Sequence, residues 1–175
     1  RLETYAPDRP IPKIFQLANN KKVNKKIYSG STINTPSMLC FEDVLDSLYW
    51  IKKIGGIEKT IEMSKNNLKR VKEGLVNSSW LEFLSNSTEN LSSTSICLKI
   101  KKNIIKSTSH EVLKDSLSKL LDFFEDEKIA YDINSYRDAP IGIRIWGGAT
   151  VSEEDIQILM DWLEWGFQKF IRENK

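Results

Sequence analysis

The chain has 175 residues, 40% of them hydrophobic, and a formal net charge of +2, which is typical of one folded domain of ordinary size. Acidic and basic residues are interspersed, so the charge gives no indication of a nucleic-acid partner. No apolar run reaches the length of a membrane span. Two cysteines and one histidine are too few for a zinc site, so no metal is expected.

The two cysteines, Cys40 and Cys97, both lie inside apolar runs. This context favours buried free thiols in a reducing compartment over a disulfide. No secretory signal pattern opens the sequence. The sequence therefore predicts a cytoplasmic location.

The first third of the chain is predicted to be irregular and then helical. Three prolines among the first twelve residues exclude a long helix there. Residues 26–39 predict a short strand followed by a turn. Apolar residues then recur at helical spacing from Phe41 to Leu48, and Gly55 and Gly56 end this helix. A second helix is expected over residues 57–76.

The second half of the chain alternates strand and helix patterns. Residues 85–93 have the composition of a loop, and strands are predicted at 94–101, 127–133 and 141–146. The pair Thr108 and Glu111 predicts a capping box for a helix, and the last helix is expected to begin at Ser152. This order predicts an α+β fold, in which helices cover one face of an antiparallel-rich sheet.

The apolar strand 141–146 contains an arginine, Arg144. Alternation places it on the face opposite Ile143 and Ile145, and a guanidinium there needs an anionic partner to offset its desolvation. Gly142 is expected to leave space beside it, and Arg137 could bring a second guanidinium to the same place. The spacing alone leaves two alternatives open, a structural salt bridge and an anion-binding site.

The single histidine, His110, lies in the first turn of a predicted helix, where we expect a solvated or capping role. A Ser-His-Asp hydrolase would have to use this residue, and no G-x-S-x-G motif accompanies it. No Walker-type or G-x-G-x-x-G phosphate loop is present either. The residues themselves therefore indicate no hydrolase or nucleotide-binding site.

Three stretches together resemble the phosphoserine aminotransferases, which are pyridoxal-phosphate enzymes of class V with the aspartate-aminotransferase fold. They are RLETYAPDRPIPKIF, then GSTINTPSMLCFEDVLDSLYWIKKIGG, and then YRDAPIGIRIWGGATV. The resemblance covers essentially the whole chain but only the C-terminal half of the family's proteins. It implies that residues 1–56 belong to the end of the large cofactor-binding domain and that residues 57–175 form the small α+β domain.

The resemblance assigns roles to four residues. Asn34 and Thr35 would reach the phosphate of pyridoxal 5'-phosphate in the other subunit of a homodimer. Arg144 would bind the α-carboxylate of a small-molecule substrate, and Arg137 would lie where the family recognises the substrate phosphate. The resemblance therefore implies amino transfer between glutamate and 3-phosphohydroxypyruvate, in serine biosynthesis.

The chemical centre of the family has no counterpart in this sequence. None of its lysines matches the context of the Schiff-base lysine, which the resemblance places upstream of Arg1. We therefore expect no catalytic residue in this chain and no activity of the chain alone.

Two alternatives to a phosphoserine enzyme stay open. Tyr136 stands where many members have histidine, and the interval from Arg137 to Arg144 is one residue longer. These departures allow a transaminase for an unphosphorylated substrate, of the alanine- or serine-glyoxylate type. A non-catalytic binding or dimerisation module is the alternative from another class.

Overall fold

A computed structural model of the chain describes residues 9–19 and 22–172. The chain divides into two units, Arg1–Trp50 and Ile51–Lys175, and the boundary falls within one helix. Within the described ranges, no helix is long and apolar enough to cross a lipid bilayer. The opening stretch that carries part of the family resemblance, residues 1–8, lies outside the described residues.

The first unit contains short elements before its helix. A 3₁₀ turn at Lys13–Phe15 precedes strands β1 (Ala18–Asn19) and β2 (Lys22–Val23), which pair antiparallel, and a 3₁₀ helix follows at Lys25–Ser29. The predicted strand within residues 26–39 is therefore wrong. The side chain of Asn24 caps this 3₁₀ helix by accepting from the Lys26 N–H, and Gly30 ends it with a φ of 87°.

Helix α1 (Met38–Ile54) confirms the helix predicted from the spacing of Phe41, Val44, Leu45 and Leu48. These four side chains are 41–57% exposed, and no residue of α1 is buried. Cys40, on the same helix, is exposed, so its predicted burial is wrong. Its sequence context is apolar because α1 has a broad apolar side, and none of the residues on that side is buried.

The second unit combines helices with a three-stranded sheet. Helix α2 (Gly56–Val76) leads to β3 (Leu81–Phe83) and β4 (Ser95–Ile100), which are followed by helices α3 (Lys102–Ser107) and α4 (His110–Asp126). Strand β5 (Gly142–Trp146) then leads to α5 (Glu153–Gly166), which continues as a π-helical segment at Phe167–Arg172. The strands are ordered β3-β4-β5 and are all antiparallel. The predicted α+β class is confirmed.

The core lies on one face of this sheet. Ile96 of β4 is opposite Ile145 of β5, and Leu98 is opposite Ile143, and all four are at most 2% exposed. Helices α2, α4 and α5 contribute to the same buried cluster, with Val71, Leu113, Leu117, Leu120, Phe124, Ile156 and Leu163 among their residues. The opposite face carries Cys97, Lys99 and Arg144, which are only partly buried. The prediction of helices on one face is thereby confirmed.

Two local predictions in this unit are wrong. Residues 127–133 form turns instead of a strand, because Lys128 and Asp132 have positive φ values of 60° and 51° that interrupt an extended chain. Only Asn134 forms a bridge, to Ile143. At helix α4 the cap is Ser109, whose Oγ accepts from the Val112 N–H, so Thr108 does not serve as the N-cap.

Candidate functional site

Arg144 lies in the middle of β5, on the partly exposed face of the sheet. It is opposite Cys97 of β4, and its flanking residues Ile143 and Ile145 are buried in the core on the other face. A Cβ on Gly142 would collide with the backbone carbonyl of Leu98. The glycine is thus required by the close approach of β4, and our expectation that it leaves space beside Arg144 is wrong.

The guanidinium of Arg144 contacts the turn segment that precedes β5. Its Nη2 lies 3.0 Å from Asp132 Oδ2 and 3.4 Å from the Asp132 carbonyl oxygen. Its Cζ lies 4.8 Å from the centroid of the Tyr136 ring, which is a cation–π distance. The sequence leaves two alternatives open for Arg144, a structural salt bridge and an anion-binding site. The structure shows a salt bridge, in which the protein carboxylate of Asp132 is the partner.

The Asp132 carboxylate does not use up the binding capacity of this guanidinium. The side chain of Asp132 is 89% exposed, whereas that of Arg144 is 19% exposed. Arginine has five N–H donors, and the hydrogen bonds among the described residues involve only Nη2. The Nε atom is buried and has no partner among those residues. A largely desolvated guanidinium whose carboxylate partner is exposed can donate to another carboxylate in its place.

The turn segment is fixed to β5 by the main chain. The Arg144 N–H donates to the Ile133 carbonyl at 2.8 Å, and Ile133 is itself 8% exposed and part of the core. Ile133 lies in the sequence between Asp132 and Tyr136, the two residues whose side chains face the guanidinium. The segment is therefore anchored where it contacts Arg144, although both contacting side chains are exposed.

Helix α2 holds the connection that follows β5. The buried amide of Asn67 donates from Nδ2 to the carbonyl oxygens of Gly147, Gly148 and Val151, at 3.1, 3.3 and 3.0 Å. Arg70 donates to Glu73 and to Glu153 at the start of α5, at 2.9 and 2.7 Å.

The hydrogen bonds of Arg70 also change the pKa of its guanidinium. Its hydrogen bond to Glu73, together with the bond to Glu153 and that carboxylate's charge, raises the pKa of the guanidinium above its ordinary value. Arginine is a cation in proteins in any case, and the bonds of Arg70 link α2 to the first turn of α5.

Trp146 ends β5 on the same face as Arg144. Its side chain is 50% exposed, and its indole Nε1 donates to Thr150 Oγ1 at 2.9 Å. The hydrogen bond fixes the ring on the connection to α5, and a Cβ on Gly148 would collide with that ring. The indole thus has a defined place at the edge of the site.

Arg137 lies apart from the contacts of Arg144. It lines a surface cavity of about 370 Å³ between α4 and the segment before β5, and Arg144 is not among the lining residues. Tyr136 adjoins both places, because it lines the cavity and also faces the guanidinium of Arg144. Tyr136 is therefore the residue that the surroundings of Arg137 and Arg144 have in common.

Asn34 and Thr35 lie directly before α1, in the first unit. Both residues are exposed, and neither side chain forms a hydrogen bond to another described residue. Their amide and hydroxyl groups are good donors to a phosphate. The first unit presents this pair, and the second unit presents Arg137 and Arg144.

Sequence reasoning missed the side chains of α4 that line the cavity. His110, Lys114 and Ser118 are four residues apart and therefore share one side of this helix. That spacing is visible in the sequence, but its relevance depends on the segment 134–141, whose position the sequence does not indicate. In the described parts of the chain no group of three or more His, Cys, Asp or Glu residues could hold a metal ion.

Comparison with known proteins finds curated relatives that match most of the chain. Two curated relatives, from Methanosarcina barkeri and Methanosarcina mazei, are 46% and 44% identical to the chain over 167 residues, and both bear the name phosphoserine aminotransferase. The resemblance to the phosphoserine aminotransferases is confirmed. The alignment covers 95% of this chain but only 42% of each of these phosphoserine aminotransferases. No family model matches the chain.

Proposed function

We propose that this chain supplies the substrate-binding part of a phosphoserine aminotransferase, which transfers an amino group between glutamate and 3-phosphohydroxypyruvate in the cytoplasm. The observation that carries the proposal is the guanidinium of Arg144, which is largely removed from water and retains unused donors. The name and identity of the two Methanosarcina relatives support the reaction.

In this proposal Arg144 binds the α-carboxylate of each substrate. A planar guanidinium can hold a carboxylate through two parallel hydrogen bonds, which fixes the orientation of the Cα atom next to it. The carboxylate is not altered in the reaction, so Arg144 serves both the donor and the acceptor. When the carboxylate arrives, it replaces Asp132, whose side chain can turn into the surrounding water because it is 89% exposed.

Pyridoxal 5'-phosphate is the cofactor that the resemblance implies, and it supplies the electron sink for amino transfer. Asn34 and Thr35 suit its phosphate, since both are exposed and have donor groups without a partner among the described residues. We assign these two residues to the cofactor of the other subunit in a homodimer. Residues 1–56 would then belong to the large domain and residues 57–175 to the small domain.

The exposed side of α1 supports this arrangement. Phe41, Val44, Leu45 and Leu48 form an apolar stripe that is 41–57% exposed. A stripe of this size favours burial against further protein. A large domain or a second subunit would provide that cover, and the chain spans only 42% of the length of its curated relatives.

A chimeric enzyme tests the proposed function. The region of the Methanosarcina barkeri protein that matches these 167 residues is replaced by this chain, and amino transfer from glutamate to 3-phosphohydroxypyruvate is measured. We expect activity in the chimera and none in this chain alone with added pyridoxal 5'-phosphate. A folded chimera that binds the cofactor but transfers no amino group to 3-phosphohydroxypyruvate would show that the proposal is wrong.

A further inference from the structure

The cavity beside Arg137 has a second wall that the family resemblance does not describe. This wall is helix α4, which contributes His110, Lys114 and Ser118 at intervals of four residues. The opposite wall is the segment 134–141, which includes Arg137 and Asp138. Three basic side chains from two separate segments, those of His110, Lys114 and Arg137, therefore line one cavity of about 370 Å³.

The cations of this cavity form no ion pair with any residue that the structure describes. Among the described residues, neither Lys114 nor Arg137 has a carboxylate within ion-pair distance. The cavity has a single carboxylate in its lining, that of Asp138. Lysine and arginine outnumber it by one positive charge before His110 is counted. Lys119 of the same helix differs from Lys114, since it pairs with Asp115 at 2.7 Å.

The donors of the cavity match the chemistry of a phosphate monoester. Lysine binds phosphate oxygens as a point charge, and arginine can bind two of them at once. The hydroxyls of Ser118 and Ser135 and the amide of Asn134 add neutral donors to the lining. A carboxylate has two oxygens that accept hydrogen bonds, whereas a phosphoryl group has three.

We infer that Lys114 and His110 of helix α4 act with Arg137 to bind the phosphoryl group of a small phosphorylated substrate. The identity of that substrate rests on the proposed function. Tyr136 links the two binding places, because it lines the cavity and covers the guanidinium of Arg144. Arg137 would thus bind the phosphoryl group of a molecule, and Arg144 would bind the carboxylate of the same molecule.

Nuclear magnetic resonance on the 175-residue chain tests this inference with inorganic phosphate as the probe. His110 is the only histidine, so its imidazole signals are identified without assignment. At a fixed pH, adding phosphate should move these signals along a saturable curve. Signals that stay in place, or that drift linearly with ionic strength, would overturn the inference.

A pair of lysine variants separates a site from a general effect of charge. Lys114→Met should weaken phosphate binding about tenfold, as expected from the loss of one hydrogen bond to a charged group. Lys119→Met removes the same charge from the same helix at a position outside the cavity lining, and it should leave the dissociation constant within about twofold. Equal weakening by both substitutions would refute a role of Lys114. Circular dichroism of each variant confirms that α4 remains folded.

A comparison of ligands distinguishes failure of this inference from failure of the proposed function. O-phospho-L-serine should bind more tightly than inorganic phosphate, and Arg144→Lys should remove that difference without changing the affinity for phosphate. If phosphate binding depends on Lys114 but Arg144→Lys has no effect, the cavity is a phosphate site and the proposed carboxylate site is wrong. If O-phospho-L-serine binding depends on Arg144 but not on Lys114, the carboxylate site stands and the role of α4 is wrong.

Discussion

Arg144 has two protein neighbours of unlike character. The Tyr136 ring lies against the guanidinium and stabilises a cation at 4.8 Å without consuming an N–H donor. Asp132 forms the ion pair, but a carboxylate that is 89% exposed can exchange the pair for water at little cost. This combination holds the arginine in place while its hydrogen-bonding capacity stays available to a ligand.

Replacement of Asp132 separates a displaceable partner from a structural one. Asn is the suitable replacement, because the residue has a φ of 51° and asparagine tolerates that conformation. Asp132→Asn should change the free energy of unfolding by less than about 1 kcal/mol, the usual range for an exposed ion pair. In the chimera it should not raise the KM for glutamate, since Asp132 is expected to leave Arg144 when substrate binds.

A large loss of stability in Asp132→Asn would be the opposite outcome. A loss of about 3–5 kcal/mol on denaturant unfolding of Asp132→Asn is the effect of breaking a buried pair. That result would make Asp132 the structural partner of Arg144 and would contradict the binding site. Asp161→Asn is a matched control, since Asp161 is an exposed residue of α5 outside the contacts of Arg144.

Among the elements, those with regular apolar spacing could be predicted from the sequence. Strand β5 and helices α1, α2, α4 and α5 lie where the patterns place them, because their apolar residues repeat at the period of the backbone. The segment 127–133 was misread as a strand, since its alternating apolar residues Ile129 and Ile133 reach the core from turns. Strand β3 and helix α3 are only 3 and 6 residues long, too short for periodicity to indicate them.

The connection between β5 and α5 depends on a single buried amide in α2. Asn67→Ala should lower the free energy of unfolding by about 1–3 kcal/mol or more, because it leaves the carbonyl oxygens of Gly147 and Val151 without their side-chain donor, whereas Gly148 keeps its bond from the Val151 N–H. Asn66→Ala, next to it in the same helix, has no such partner and should be neutral or slightly stabilising. Denaturant unfolding of both variants checks this; equal stabilities would contradict it.

At the scale of the whole molecule, only part of the candidate site could be predicted from the sequence. Arg144 follows from an apolar strand with one charged residue, and its partial burial and its carboxylate partner are as that pattern suggested. The partner Asp132, the tyrosine contact and the α4 wall depend on how distant segments meet, which the sequence pattern does not specify. Asn34 and Thr35 were indicated by the resemblance alone, and their role stays a prediction.

The chain spans less than half the length of the curated relatives it matches, and we propose that the rest of the enzyme completes the site. The chain matches 42% of each Methanosarcina protein, and it contains no lysine in the context of the family's cofactor-bearing residue. Under the proposed function, this chain alone would bind the substrate carboxylate and would not transfer an amino group. The proposed division of labour therefore places recognition of the carboxylate in this chain and the chemistry in the rest of the enzyme.

The steady-state kinetics of Arg144→Lys in the chimera test the central claim most directly. Lysine keeps the charge but lacks the planar fork, so the KM for both amino donors, glutamate and O-phospho-L-serine, should rise far more than kcat falls. The loss in kcat/KM should be about 2–5 kcal/mol, as for a broken charge-paired hydrogen bond. A lower melting temperature of the same preparation with an unchanged KM would show that Arg144 is a structural residue and would contradict the account.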